Sequence, residues 1–117
     1  MHKQNRSPVM QQCVQECQDC HATCIETVAH SMTAGGALAQ PHHAAILLDC
    51  AEICHISEDS MRRSSPLAQT LCAACAAVCD ACATECERFA SDPQMKACAE
   101  RCRRCAEACR QMASARP

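Results

Sequence analysis

The chain has 117 residues, a formal charge of -2, 15 cysteines and a single aromatic side chain, Phe89. This length suits one domain with one core, and an acidic chain without aromatic stacking residues is a poor nucleic-acid binder. Because leucine, isoleucine and valine are few, cysteine must fill much of the interior.

We expect a cytoplasmic protein that has no membrane partner. The amino-terminal residues lack the apolar run of a secretory signal, and nowhere do about 18 apolar residues stand together to span a bilayer. Thiols stay reduced in the cytoplasm, and these cysteines stand one helical turn apart rather than across long loops. A disulfide framework is therefore disfavoured.

Prolines divide the chain into four helical segments, because proline fits the first turn of a helix, where its missing N–H costs nothing. Helix starts are indicated at Ser7-Pro8, Gln40-Pro41, Ser65-Pro66 and Asp92-Pro93. The predicted helices cover about residues 8–33, 41–63, 66–90 and 93–113. Short connections favour antiparallel neighbours, so the sequence predicts an all-α fold, an antiparallel four-helix bundle that forms one domain over residues 1–117.

In each helix the cysteines recur at intervals of three and four residues, which return a side chain to one face. The first helix carries Cys13, Cys17, Cys20 and Cys24. The second has Cys50 and Cys54 in a series with His43, Leu47, Ser57 and Met61. The third, rich in alanine, has Cys72, Cys75, Cys79, Cys82 and Cys86, and the fourth has Cys98, Cys102, Cys105 and Cys109 between Met95 and Met112. These cysteine seams are expected to face inward and to give the bundle a cysteine-lined core.

Thiols at this spacing can hold metal ions. Residues three or four apart on a helix have Cβ atoms about 5–6 Å apart, and two sulfurs on one ion can be about 4.6 Å apart. Soft thiolates favour Cu(I), with zinc as a competitor. A monovalent ion balances one thiolate, whereas a divalent ion among four thiolates leaves two negative charges that no inward lysine or arginine is expected to offset. Multiple Cu(I) ions per chain are therefore the expected cargo, bound as thiol protons are released.

The seams, together with the phrase Asp49-Cys50-Ala51-Glu52-Ile53-Cys54, resemble the cytosolic branch of the four-helix-bundle copper storage proteins. The likeness extends from about Cys13 to Cys109. It implies a homotetramer of bundles in which all fifteen cysteines bind Cu(I) and so store or detoxify copper. A copper chaperone is left open as the donor.

Five positions depart from the pattern of that family. Its members continue the cysteine pattern where this chain has Thr27, Ser31, His43 and Met95, and they place a histidine at the position of Phe89. All five are expected at one mouth of the bundle, where helices 1 and 3 end and helices 2 and 4 begin. That mouth should be poor in thiols, with His43 and Met95 as accessory metal ligands.

The opposite mouth is predicted to gather Met10, Met61 and Met112. Two interpretations stand: the methionines fill gaps at the end of the bundle, or they act as accessory ligands whose thioethers pass Cu(I) inward. Outside the seams, an exposed apolar patch for self-association is predicted on helix 2 at Ile46, Leu48, Ile53 and Ile56.

Two other functions remain open. One is a reservoir for zinc or another thiophilic metal, and the other is a metal-free bundle whose cysteines sense oxidation. An enzyme is not expected, since no grouping of nucleophile, base and oxyanion donors is evident. Cys13, Cys17 and Cys20 match the iron-sulfur motif of radical enzymes, but here the motif lies on a helix and the chain has no room for a substrate barrel.

Overall fold

The computed structural model describes residues 6–116, which form an up-down-up-down bundle of four α-helices. The helices are α1 (Pro8–Ala34), α2 (Pro41–Arg62), α3 (Ala68–Glu87) and α4 (Pro93–Ser114). Each helix packs against two neighbours in the cyclic order α1, α2, α3, α4. The prediction of an all-α antiparallel four-helix bundle is confirmed, and residues 1–5 and 117 of the predicted domain lie outside the described residues.

Local signals in the sequence account for most helix ends. The side chain of Ser7 accepts a hydrogen bond from the N–H of Met10 at 3.1 Å, and Asp92 accepts two from the first turn of α4. Helix α1 stops where Gly35 and Gly36 adopt positive φ angles of 74° and 60°, which glycine tolerates because it lacks a Cβ. A short 3₁₀ turn then leads into α2.

Helix α3 is shorter than predicted at both ends. Pro66 does not start it, because Ser64 turns the chain with a positive φ of 53° and Ser65 caps a further turn before the helix begins. At the other end, the N–H of Phe89 bonds to the carbonyl of Cys86 at 3.0 Å. This three-residue spacing tightens the last turn and ends the helix before residue 90.

The interior of the bundle is made largely of sulfur and methyl groups. All fifteen cysteines are free thiols with no exposed surface. The larger apolar side chains buried with them are Val14, Leu47, Met61, Met95 and Met112. Among residues 6–116, no lysine or arginine is buried and no helix combines the length and apolarity needed to cross a bilayer.

Candidate metal centre

The cysteine seams meet along the bundle axis as one continuous column of sulfur atoms. Between α1 and α4, the Sγ atoms of Cys13 and Cys109 are 3.6 Å apart, and further along the column Cys24 and Cys98 are separated by 3.9 Å. The other sulfur contacts, on all four helices, also lie between 3.6 and 4.0 Å. The seam geometry thus brings thiols of different helices within reach of a shared ion.

Sulfurs of the column form overlapping sets of four whose members lie within 4.8 Å of one another. They include Cys17/Cys75/Cys105/Cys109, Cys20/Cys50/Cys54/Cys79, Cys20/Cys24/Cys50/Cys102, Cys24/Cys82/Cys98/Cys102 and Cys54/Cys75/Cys79/Cys105. Neighbouring sets share members; Cys54, for example, belongs to two of them. The core therefore offers a row of connected positions for metal ions rather than isolated sites.

The surroundings of most of these sulfurs favour the protonated thiol. Hydrogen bonding with Cys105 is the largest cause that raises the pKa of Cys54, and burial raises it further. Contact with Cys109 raises the pKa of Cys72 to about 12. A few thiols shift the other way: at Cys20 the side-chain hydrogen bond with Cys102 of α4 is the largest cause that lowers the pKa, although burial opposes it. A metal ion entering the column must displace the protons that remain.

The sulfur spacing would fit either divalent or monovalent thiophilic ions, but the net charge that each would leave in the core differs. Three of the sets share no member: Cys17/Cys75/Cys105/Cys109, Cys20/Cys50/Cys54/Cys79 and Cys24/Cys82/Cys98/Cys102. A divalent ion in each would leave two negative charges per site, or six in an interior that has no lysine or arginine among residues 6–116. Fifteen monovalent ions would instead neutralise fifteen thiolates. Because uncompensated buried charge is costly, the core favours a monovalent, thiophilic ion.

At the thiol-poor mouth, buried side chains without thiols close the column. Thr27, Ser31, His43 and Met95 all have at most 2% of their surface exposed. The Thr27 hydroxyl donates to the carbonyl of Thr23 at 2.7 Å and accepts a hydrogen bond from Gln94 at 2.9 Å, so its proton and its oxygen are both engaged within the protein. The ring of Phe89 packs edge-on against the His43 imidazole, with ring centroids 5.1 Å apart.

His43 has a carboxylate partner that sequence reasoning missed. Its Nδ1 lies 2.8 Å from Oε2 of Glu85. The two carboxylate oxygens of Glu85 also accept hydrogen bonds from Arg88, Oε1 at 2.9 Å and Oε2 at 3.0 Å. Burial acts to raise the pKa of Glu85, but the bonds from His43 and Arg88 hold it below its usual value. The position of Glu85 three residues after Cys82 on a helix was the available signal that it could turn inward.

At the other mouth, two of the three predicted methionines border a cavity. Met10 and Met112 line a space of about 460 Å³ together with Gln69. Met61 is completely buried. At this end of the column, Cys13 contacts Cys72 of α3 and Cys109 of α4. The thioethers of Met10 and Met112 therefore lie at the same end of the bundle as thiols that could receive an ion.

The exposed apolar face differs from the predicted one. Ile46 and Ile53 pack partly against the core, whereas Leu48 and Ile56 are 40% and 48% exposed. Ile25 of α1 joins the last two to line a groove of about 330 Å³. The sequence pattern of α2 alone could not reveal this contribution from α1.

Comparison with known proteins identifies the family. The family described as Csp, copper storage protein, matches residues 3–114, while no curated protein sequence matches. Among solved structures, the Nmul_A1745 protein of Nitrosospira multiformis is 37% identical with a TM-score of 0.85, over 91% of this chain and 95% of that one.

Two further similar structures hold copper according to their descriptions. The Cu(I)-bound copper storage protein BsCsp3 of Bacillus subtilis is 31% identical with a TM-score of 0.85, covering 91% of this chain and 99% of its own. A cytosolic copper storage protein of Streptomyces lividans with five coppers is 27% identical with a TM-score of 0.81, over 93% and 95%. The resemblance seen in the cysteine seams is confirmed over nearly the whole chain, and this protein belongs to the copper storage protein family.

Proposed function

We propose that this protein stores Cu(I), many ions per chain, on the thiolates of all fifteen core cysteines, and so buffers copper or protects the cell from it. The observation that carries the proposal is the unbroken column of fully buried thiols in a core without a buried lysine or arginine among residues 6–116. BsCsp3, which is similar in fold and sequence, is described as Cu(I)-bound.

Sulfur spacing suits such loading. At a metal–sulfur bond of about 2.3 Å, two opposed thiolates are about 4.6 Å apart and three around one ion are about 4.0 Å apart. The contacts of 3.6 to 4.0 Å in the core need only small side-chain adjustments to reach either arrangement. Each ion replaces thiol protons and no bond of a substrate is made or broken, so the role is storage rather than catalysis.

The methionine-lined mouth is the proposed route inward. Thioether ligands need no deprotonation, so Met10 and Met112 can hold Cu(I) weakly at the rim before buried thiols take it. Met61 then either binds Cu(I) as a second thioether further inside the bundle or only fills the core. Measuring the rate of Cu(I) uptake distinguishes the two roles. A copper chaperone presenting Cu(I) at this mouth is the proposed class of donor.

We also propose a cytosolic location and a homotetrameric assembly. The location is supported by the likeness to the Streptomyces lividans protein, which is described as cytosolic. Assembly is supported by the exposed apolar face at Ile25, Leu48 and Ile56. If this face is the interface, Leu48→Glu with Ile56→Glu lowers the mass measured by light scattering while the helical circular dichroism stays unchanged; an unaltered mass would refute it.

Titration of fully reduced protein with Cu(I), against a chromophoric chelator that competes for the ion, tests the storage function. We expect binding of more than ten tight equivalents per chain, an order-of-magnitude estimate from one ion per thiolate. A parallel titration with Zn(II) is the control. If the protein bound three zinc ions tightly and Cu(I) did not displace them, it would be a zinc reservoir. If it bound neither metal tightly, the metal-free redox-sensing bundle would be the remaining interpretation.

A further inference from the structure

We propose that His43 and Cys86 together bind one Cu(I) ion at the thiol-poor end of the column, in a mixed imidazole–thiolate site that Glu85 orients. This inference rests on the proposed storage of Cu(I) and assigns a different ligand chemistry to the end of the row. Interior positions are surrounded by thiols alone, whereas at this position a ring nitrogen faces Cys86, whose thiol neighbours are Cys82 and Cys98.

The first observation is a buried ring nitrogen without a partner. His43 is 2% exposed, and within residues 6–116 its Nε2 has no hydrogen-bond partner. Buried polar atoms are rarely left in this state, and those that are call for a functional explanation. A neutral imidazole nitrogen with a free lone pair is a common metal ligand and is compatible with copper.

The second observation is that the ring is held in the orientation of a metal ligand. Nδ1 lies 2.8 Å from Oε2 of Glu85, so we assign the ring proton to Nδ1, which donates to the carboxylate and leaves the lone pair on Nε2. Arg88 anchors the same carboxylate at 2.9 and 3.0 Å, and the Phe89 ring packs edge-on against the imidazole. A carboxylate behind a histidine is the usual arrangement around ligating imidazoles.

Helix register supplies the thiolate partner. Cys50 of α2 contacts Cys79 of α3 at 3.7 Å. His43 lies seven residues before Cys50, and Cys86 lies seven residues after Cys79. Seven residues are about two helical turns. In this antiparallel pair, the equal steps therefore bring His43 opposite Cys86, and both side chains are buried. Met95, buried at the start of α4, is available as a thioether third ligand.

The charge and ligand set predict how this site behaves. One thiolate and one neutral imidazole around Cu(I) are neutral overall, so the site needs no counter-ion. Because imidazole is a less soft ligand than thiolate, Cu(I) binds here more weakly than among the interior thiols. The site should fill last and empty first, which makes it a position from which copper can leave the column.

The test combines Cu(I) titration with long-range ¹H–¹⁵N spectra of the histidine rings, which stay sharp because Cu(I) is diamagnetic. We expect the Nε2 resonance of His43 to shift only with the last, weakest equivalent. His43→Leu should lose that one equivalent and keep the rest of the curve. His42→Ala, which removes an exposed neighbouring histidine, is the matched control and should lose none.

Two further variants keep the test decisive if leucine disturbs the fold. His43→Cys should keep the full number of ions while the nitrogen signal disappears. Glu85→Gln should weaken only the last equivalent, by about 10- to 100-fold, as loss of a carboxylate behind a ligating histidine does elsewhere. An unshifted Nε2 resonance in fully loaded protein, or a full count in His43→Leu, overturns the proposal. Failure of the storage function is distinct, because the wild-type protein would then bind few ions at all.

Discussion

Counting the protons that leave as copper enters tests the charge argument directly. Most thiols of the column are held neutral, and no lysine or arginine is buried among residues 6–116 to balance surplus thiolates. A loaded core should therefore stay close to neutral. We expect about one proton released per Cu(I) bound as the core fills, since each monovalent ion compensates one thiolate.

The magnitude distinguishes copper from zinc clearly. Fifteen Cu(I) ions would release about fifteen protons, whereas a zinc ion in each of the three separate sets would release about four protons per metal and leave six negative charges buried. One proton per copper also means that affinity falls about tenfold for each unit by which pH is lowered, or about 1.4 kcal/mol.

The assay is pH-stat titration of reduced protein near pH 7 in weak buffer, with Cu(I) supplied as an acetonitrile complex that carries no proton. Zn(II) delivered in the same way is the comparison. If two or more protons left per copper throughout the titration, the core would be shown to tolerate anionic clusters. Charge balance would then be refuted as the reason why the core prefers a monovalent ion.

Three further predictions concern stability, capacity and uptake. Because hydrogen bonding with neighbouring thiols, here Cys109, and burial raise the folded-state pKa of thiols such as Cys72 above the unfolded value of 9.0, their contribution to apo stability is fully present below pH 9 and is lost as pH rises towards the folded value. Urea unfolding at pH 7 and pH 10 should show a loss of about 1.4 kcal/mol per affected thiol, and equal midpoints would contradict this. Cys54→Ser removes one thiolate from two sulfur sets and should lower capacity by about one Cu(I), the ion that this thiolate compensates, whereas Leu47→Ala, which removes no ligand, should keep the full count. Stopped-flow uptake should slow, with capacity unchanged, when Met10, Met61 and Met112 are all replaced by leucine; unaltered rates would leave the methionines as gap fillers.

The sequence by itself determined which face of each helix carries sulfur. Intervals of three and four residues are a local property of an α-helix, so the inward position of Cys13 or Cys102 needs no knowledge of the other helices. The same holds for the caps at Ser7 and Asp92, which act within one turn. Four seams and short connections were then enough to predict the bundle.

Only the tertiary structure decided which sulfurs meet and what closes the column. Pairings such as Cys24 with Cys98 depend on the rotation and axial register of two helices, which packing between distant segments sets. The inward turn of Glu85 has the same origin, since His43 on another helix supplies the partner that makes its burial tolerable. Periodicity identifies the face of a helix, but the neighbour of that face is a property of the assembled bundle.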